Sequence, residues 1–159
     1  MTINETIDFF ERLLIETDLK SEIRLYKKFI AVLHDLTNKS LSEIQILSIE
    51  KRLENLQINT NSENRKKYFN KEYIAFLKYL KDEFSFVSEG YYTGIGMIFG
   101  MIFGNSLGLT IGIIIGEGNG IAIGLSMGTG IGMTFGLLFG ATKDAEAKKQ
   151  GRVLKTKIK

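Results

Sequence analysis

The chain contains no cysteine, no proline and no tryptophan, and histidine occurs only once, at His34. Without cysteine there is no disulfide scaffold, thiolate metal site or cysteine nucleophile. A single histidine excludes metal sites built on histidine pairs and disfavours a Ser-His-Asp triad. Because proline and a glycine at every third position are both missing, the chain is not collagen-like. We therefore predict no catalytic residue, no cofactor and no metal ion, and we do not expect an enzyme.

Glycine and charge are distributed very unevenly along the 159 residues. Of 17 glycines, 16 lie between Gly90 and Gly140, and Glu117 is the only charged residue between positions 91 and 142. Residues 1–89 carry 14 basic and 15 acidic side chains, whereas residues 143–159 carry a net charge of +5. These boundaries predict a cytoplasmic helical domain at 1–88, an apolar glycine-rich hairpin at 89–142 and a basic cytoplasmic tail at 143–159.

The first 88 residues have the apolar spacing of amphipathic helices. Ile3, Ile7, Phe10 and Leu14 recur at helical intervals after Thr2. Further runs at 23–33, 46–56 and 73–87 predict three more helices, the last of which could begin as early as position 62, and the segment 59–64 predicts a loop. Four such helices with short connections predict a small bundle.

Capping residues mark where three of these helices should begin. Thr2 with Glu5, and Ser40 with Glu43, have the spacing of capping boxes, in which two side chains satisfy free backbone N–H groups. Ser21 is a candidate N-cap for the second helix.

The glycine region has a strict period of four residues. We expect twelve glycines to pack helices together: Gly96, Gly100, Gly104, Gly108, Gly112, Gly116, Gly120, Gly124, Gly128, Gly132, Gly136 and Gly140. Each costs a helix in water roughly 1 kcal/mol relative to alanine. In a bilayer the backbone must satisfy its own hydrogen bonds, and small residues at i and i+4 allow close helix approach. The pattern therefore favours helices that lie within a membrane.

Length and polarity divide this region into two spans. A bilayer core of about 30 Å needs roughly 20 helical residues, so 53 residues are too many for one span and enough for two. The polar interruption near the middle predicts a turn at 117–120 that includes Glu117, Gly118 and Asn119. We expect spans at about 91–115 and 121–141, and the fold class is all-α.

Folding the two spans about Gly118 predicts their register. Gly100 then lies opposite Gly136, and Thr110 lies opposite Ser126, although a slip of four residues would preserve every glycine match. The polar residues inside the spans are candidates either for bonds between helices or for the lining of a narrow path: Asn105, Ser106, Thr110, Ser126, Thr129 and Thr134. We expect Asn105 and Ser106 to face residues 130–132.

Two segments of the hairpin are near copies of each other. Thr93–Gly104 and Thr129–Gly140 are identical at nine of twelve positions. The GxxxG repeats from Gly94 to Gly140 resemble glycine-zipper membrane segments, which occur in channels, pore-formers and bacterial envelope proteins. That resemblance implies close helix packing and names no activity. The segment also resembles the rotor-ring subunit of ATP synthases, but the second span lacks the mid-membrane carboxylate of that family.

The basic segment after the hairpin predicts orientation, because basic flanks remain cytoplasmic. We expect a multi-pass protein of the bacterial inner membrane with both termini cytoplasmic. Candidate contacts for lipid headgroups are Lys143, Lys148, Lys149, Arg152, Lys155, Lys157 and Lys159. Nucleic acid is not an expected partner.

Three functions are consistent with these sequence features. The first is a membrane scaffold, anchor or adaptor. A period of four drifts around a helix whose own period is 3.6, so some glycine surface should meet another hairpin and form a homo-oligomer. Residues 1–88 would then bind a cytoplasmic protein. The alternatives are a pore-forming or membrane-disrupting effector, and a soluble or peripheral interaction module.

Overall fold

The structure is a computed structural model that describes residues 1–54, 56, 65–116 and 119–156. In these residues the chain is almost entirely helical, as the sequence predicts. The elements are α1 (Ile3–Glu16), α2 (Lys20–Thr37), α3 (Glu43–Glu54), α4 (Arg65–Phe84), β1 (Val87–Ser88), α5 (Tyr91–Ile115), α6 (Gly120–Lys149) and β2 (Val153–Leu154). The two short strands pair with each other.

The chain divides into two compact units. The first contains Met1–Ser88 and Leu154–Lys159, and the second contains Glu89–Val153. The first unit therefore holds the helical bundle together with the end of the chain, and the second holds the glycine-rich helices. The basic segment expected to form one tail at 143–159 is divided, because α6 continues to Lys149 and the residues from Leu154 onward belong to the bundle.

The first unit is built around an aromatic core. The rings of Phe10 and Phe29 stack with centroids 4.4 Å apart, and Phe69 meets both Phe10 and Tyr26 edge-on at 5.5 and 5.6 Å. Such ring pairs add about 1 kcal/mol each to the burial of their area. The core therefore joins α1, α2 and α4 through their largest side chains.

The end of the chain completes this core. The Leu154 side chain is fully buried in the same apolar cluster. Beside it, the Lys155 backbone N–H donates a 3.3 Å hydrogen bond to the buried Asp35 carboxylate, which also lies 3.7 Å from the Lys39 ammonium. The chain thus leaves the bundle after Ser88 and returns to it at Leu154.

The structure confirms one of the predicted capping boxes and places the other at different residues. The capping box of Thr2 and Glu5 is present. The second, expected at Ser40 and Glu43, lies two residues further on, where Ser42 and Gln45 exchange hydrogen bonds of 2.9 and 3.3 Å.

Ser21 does not cap α2. It lies inside that helix, whose N-cap is Leu19 without a capping side chain. The loop expected at 59–64, and with it an early start of the fourth helix at 62, lies outside the described residues.

Candidate functional site: the glycine hairpin

Helices α5 and α6 form an antiparallel hairpin in which backbone packs directly on backbone. A Cβ atom added at Gly104 would approach the Gly128 carbonyl oxygen to under 3.0 Å, closer than real Cβ atoms come to a neighbour. A Cβ added at any other glycine of the period-four series, except one, would also come within 3.0 Å of the opposite helix. These glycines all lie along one interface: Gly96, Gly100, Gly104, Gly108, Gly112, Gly120, Gly124, Gly128, Gly132, Gly136 and Gly140. Only glycine permits this approach.

The register differs from the one predicted. A Cβ added at Gly100 would meet the Gly132 carbonyl oxygen first, with the Cα of the expected partner, Gly136, 3.1 Å away. Gly100 therefore lies between two glycines of the opposite helix, as do Gly96, Gly104 and Gly108, and the symmetry point is one residue earlier than Gly118. The observed register differs from the predicted one by a shift of two residues, and the glycine pattern alone does not specify such a shift.

The remaining glycine of the period-four series, Gly116, does not pack helices together. It ends α5 as the C-cap with φ +88°, and nothing lies within 4 Å of an added Cβ. A left-handed backbone at this point suits glycine, which pays no steric penalty there. Asn119 follows as the N-cap of α6, and its carbonyl accepts a 3.0 Å hydrogen bond from the Ile123 N–H. Glu117 and Gly118 lie outside the described residues.

A single pair of polar residues joins the two helices within the apolar part of the hairpin, among the residues that the structure describes. The Thr129 hydroxyl donates to the Asn105 side-chain oxygen, so Asn105 faces Thr129 rather than residues 130–132. Thr110 and Ser126, which the sequence predicts to lie opposite each other, each donate their hydroxyl to a carbonyl four residues earlier in their own helix. Ser106 and Thr134 do the same. These four hydroxyls are thus satisfied without a partner helix.

Asp144 holds the open end of the hairpin together. Its carboxylate accepts hydrogen bonds from the Tyr92 N–H at 3.0 Å, the Thr93 N–H at 2.9 Å and the Thr93 hydroxyl at 2.6 Å. These N–H groups belong to the first turn of α5, whose N-cap, Gly90, has no side chain to satisfy them. A carboxylate at this place also interacts favourably with the helix dipole.

The sequence analysis does not single out Asp144, because this residue lies in a segment whose net charge is +5. A usable signal was present, however. The same folding about Gly118 that paired the glycines places position 144 opposite position 92, where a helix begins without a capping residue. A lone carboxylate opposite an uncapped helix start is a recognisable candidate for a cap.

The two broad faces of the hairpin differ. On the back face, several of the residues that follow a glycine are partly buried, as at Met97, Met101 and Met133. On the front face, most of the residues that precede a glycine are exposed, and they form two walls above the glycines. The walls include Phe99, Phe103, Phe135 and Phe139, which are 56–69% exposed. Between them runs a groove of about 780 Å³ that reaches Tyr92 and Lys143 at one end. We call it the front groove.

The predicted basic contacts are separated in the structure. Lys143, Lys148 and Lys149 lie exposed on the last turns of α6, and the Lys143 ammonium pairs with Glu146 at 3.0 Å. Arg152 donates to the Gln150 side chain at 2.6 Å.

Further along, the Lys155 ammonium lies 3.9 Å from Asp35 in the bundle. Lys157 and Lys159 fall outside the described residues. Of the predicted basic residues, those that lie within the hairpin and are described are therefore the lysines of α6.

Apart from its glycines, the hairpin buries almost nothing. Tyr91–Ile115 and Gly120–Lys149 are each long and apolar enough to cross a membrane. In the most apolar 18-residue stretch of each helix, only 17% and 6% of the residues, respectively, are buried. Side chains such as Ile114, Phe103 and Phe135 are 67–78% exposed. The core helix of a soluble protein is mostly buried, so this exposure is typical of a helix pair that an apolar surrounding covers.

The parts of the chain that the structure describes contain no group of three or more His, Cys, Asp or Glu side chains that could hold a metal ion. Comparison with known proteins found no matching protein-family model, no matching curated protein and no matching solved structure.

Proposed function

We propose that this chain is an integral membrane anchor or scaffold whose glycine hairpin crosses the bilayer twice and holds the helical bundle at the cytoplasmic face. The observation that carries the proposal is the hairpin's exposure pattern. It buries its glycines and exposes its large apolar side chains, such as Phe103 at 67% and Ile114 at 78%. In water this surface would favour aggregation, whereas in lipid it costs nothing.

Both termini are proposed to lie on the cytoplasmic side. The first unit contains both the residues before α5 and those after Val153, and Leu154 is buried in its core. The two ends of the hairpin are therefore held on one side of the membrane. The lysines that end α6 favour the cytoplasmic side by the positive-inside rule. These observations support a two-span topology with both termini on the cytoplasmic side, which we propose for a bacterial inner membrane.

Self-association of hairpins is the second part of the proposal. The period-four glycines are already in contact within one hairpin, so association must use other surface. On the outward face of α6, small residues recur at intervals of four and are exposed: Ala122, Ser126, Gly130 and Thr134. Small residues spaced in this way allow two membrane helices to approach closely.

The bundle is proposed to bind a cytoplasmic protein. On α3, Ile44 is 80% exposed and Leu47, one turn further on, is 65% exposed. Two large apolar side chains on one face of a helix suit an apolar contact with another protein. The variant Ile44→Asp with Leu47→Asp should release a bound partner while the protein stays in the membrane fraction.

Membrane insertion is tested by fractionation and by cysteine labelling. The protein should stay in the membrane pellet after a carbonate wash, and its release into the supernatant would overturn the anchor.

Because the chain has no cysteine of its own, Asn38→Cys and Asn119→Cys can each be labelled alone. A membrane-impermeant reagent should reach position 38 from the cytoplasmic side and position 119 from the opposite side. Labelling of both positions from one side would contradict the two-span topology.

Self-association needs a separate measurement. Gly130→Cys, on the outward face, should form crosslinked dimers in membranes, and Met101→Cys, on the partly buried back face, should not. Equal crosslinking at both positions would indicate random collision instead of a defined interface.

A further inference from the structure

The front groove is a surface that the packing of α5 against α6 leaves open. The glycines bring the two backbones together, and the side chains before each glycine diverge on this face. Phe103 is 67% exposed on one wall and Phe135 is 69% exposed on the other. The floor between them is formed by glycines that include Gly104 and Gly132. The groove is therefore deep, apolar and free of side chains at its base.

Its width suits one extended hydrocarbon chain. The groove follows α5 from Tyr92 to Ile115, a length of about 35 Å at 1.5 Å per residue. Its volume of about 780 Å³ then corresponds to a mean cross-section of about 20 Å², roughly a quarter of that of a helix about 10 Å across. A single acyl chain is narrow enough to lie in the part of the groove nearest Lys143, since one lipid chain spans about half of a bilayer core of about 30 Å.

The charge at one end of the groove selects a headgroup. Among the described residues that line it, Lys143 is the only charged one, and it lies at the same end as Tyr92. The ion pair between Lys143 and Glu146 does not occupy the ammonium fully, because both side chains are about half exposed and such pairs contribute little. A lysine ammonium has three N–H donors. The nearby Asp144 carboxylate is already engaged by the first turn of α5.

We propose that the front groove binds one acyl chain of an anionic phospholipid and that the Lys143 ammonium binds the phosphate of the same lipid. This site rests on the membrane insertion proposed above. Aromatic walls and a glycine floor contact the chain along its length, and the cation at the cytoplasmic end discriminates an anionic from a zwitterionic headgroup. A bound lipid of this kind fills a gap that no side chain of the hairpin fills.

The site is tested by native mass spectrometry of the full chain in detergent with added phosphatidylglycerol or phosphatidylcholine. The expected result is one retained phosphatidylglycerol per chain, bound at least fivefold more tightly than phosphatidylcholine. A lysine near the surface contributes about 1 kcal/mol to anionic lipid binding, so Lys143→Gln should weaken phosphatidylglycerol binding about fivefold. Lys148→Gln, which removes an exposed charge that does not line the groove, should leave it unchanged.

A second pair of variants tests the walls. Phe103→Ala should weaken binding of both lipids, because it removes part of a groove wall. Ile102→Ala, which removes a similarly exposed side chain from outside the groove, should not. Both residues are largely exposed, so neither change should prevent folding, and an unchanged helical circular dichroism spectrum would verify this.

Three results would overturn the lipid site. One is equal loss of binding in Lys143→Gln and Lys148→Gln, which would indicate attraction to net charge alone. Another is equal retention of both lipids by every variant. The third is efficient crosslinking between chains through Phe103→Cys, which would place a second copy over the groove. Any of these with the protein still in the carbonate-washed pellet would leave the proposed anchor intact, whereas release from the pellet would remove the anchor itself.

Discussion

The Thr93 hydroxyl donates a 2.6 Å hydrogen bond to the carboxylate of Asp144, across the open end of the glycine hairpin. The corresponding threonine of the second repeat, Thr129, also donates across the hairpin, to Asn105. The two near-identical segments therefore begin with residues that play the same part: each threonine ties its own helix to the other. Both bonds are formed in the observed register, and the Thr129 hydroxyl also donates to the Leu125 carbonyl of its own helix.

Removal of the Asp144 carboxylate should loosen the start of α5. In Asp144→Ala, the Tyr92 and Thr93 N–H groups lose their acceptor, and loss of a capping side chain costs about 1 kcal/mol. We expect hydrogen exchange at these two amides to become about fivefold faster in detergent micelles. Glu146→Ala is the control, because its pair with Lys143 is exposed and contributes little. Faster exchange in the control alone would show that Asp144 does not cap α5.

Glycines inside and outside the interface should respond in opposite ways to alanine. A methyl group at Gly128 would collide with the Gly104 carbonyl, whereas at Gly130 it would meet nothing within 4 Å. Gly128→Ala should therefore force the helices apart, and Gly130→Ala should stabilise α6 by roughly 1 kcal/mol through helix propensity.

The measurement uses a cysteine pair on the back face. The pair is Met101→Cys with Met133→Cys. Each of these positions is four residues further from the turn than Asn105 and Thr129, so the two cysteines should lie opposite each other as those two residues do. A disulfide between them should form readily in the parent chain and with Gly130→Ala, and should be lost with Gly128→Ala. Equal disulfide yields in the two alanine variants would contradict the interlocked packing.

The sequence predicts the two apolar helices because hydropathy and length are local properties, although α6 continues past the expected end at 141 to Lys149. The first span was expected at 91–115, and α5 covers Tyr91–Ile115. The register could not be derived in the same way, because it depends on side chains far apart in the chain, such as Asn105 with Thr129. Hydroxyls such as those of Thr110 and Ser126 do not specify the register, because a helix offers each hydroxyl a carbonyl of its own.

The sequence also does not predict that the chain returns to the bundle after the hairpin. Residues 143–159 are conspicuous for their charge, and charge indicated a tail that sets topology. Leu154, however, is buried in the bundle core, and a single leucine among lysines carries no periodicity from which its burial can be predicted. Burial of one such residue is decided by tertiary structure.

Leu154 should therefore matter to the stability of the bundle. Leu154→Ala leaves a cavity in a core position that is fully buried, and such changes cost about 2–5 kcal/mol. Denaturant unfolding in detergent, followed by the near-ultraviolet circular dichroism of the core tyrosines, should show this loss. Ile44→Ala, at a position that is 80% exposed, should change the free energy of unfolding by less than about 0.5 kcal/mol. Similar losses in both variants would place Leu154 outside the core.

The buried phenols should make the bundle sensitive to alkaline pH. Burial raises the pKa of Tyr73 to about 12, and burial together with the Glu22 carboxylate raises the pKa of Tyr26 to about 12, against 10.0 for an exposed tyrosine. Above pH 10 the unfolded chain loses these protons while the folded bundle keeps them. The free energy of unfolding should therefore fall as the pH rises from 10 to 12, and the contribution of both phenols is fully present below pH 10.

Tyr73→Phe isolates one of these phenols. Its hydroxyl is buried and has no hydrogen-bond partner among the described residues, so its removal should raise the free energy of unfolding by about 1 kcal/mol at neutral pH. It should also make the decline above pH 10 shallower. Tyr26→Phe should make that decline shallower as well, but it should lower stability at neutral pH because the Tyr26 hydroxyl donates to Glu22 at 3.4 Å. Tyrosinate absorbance and denaturant unfolding at each pH measure both effects, and a Tyr73→Phe profile parallel to that of the parent chain would contradict the raised pKa.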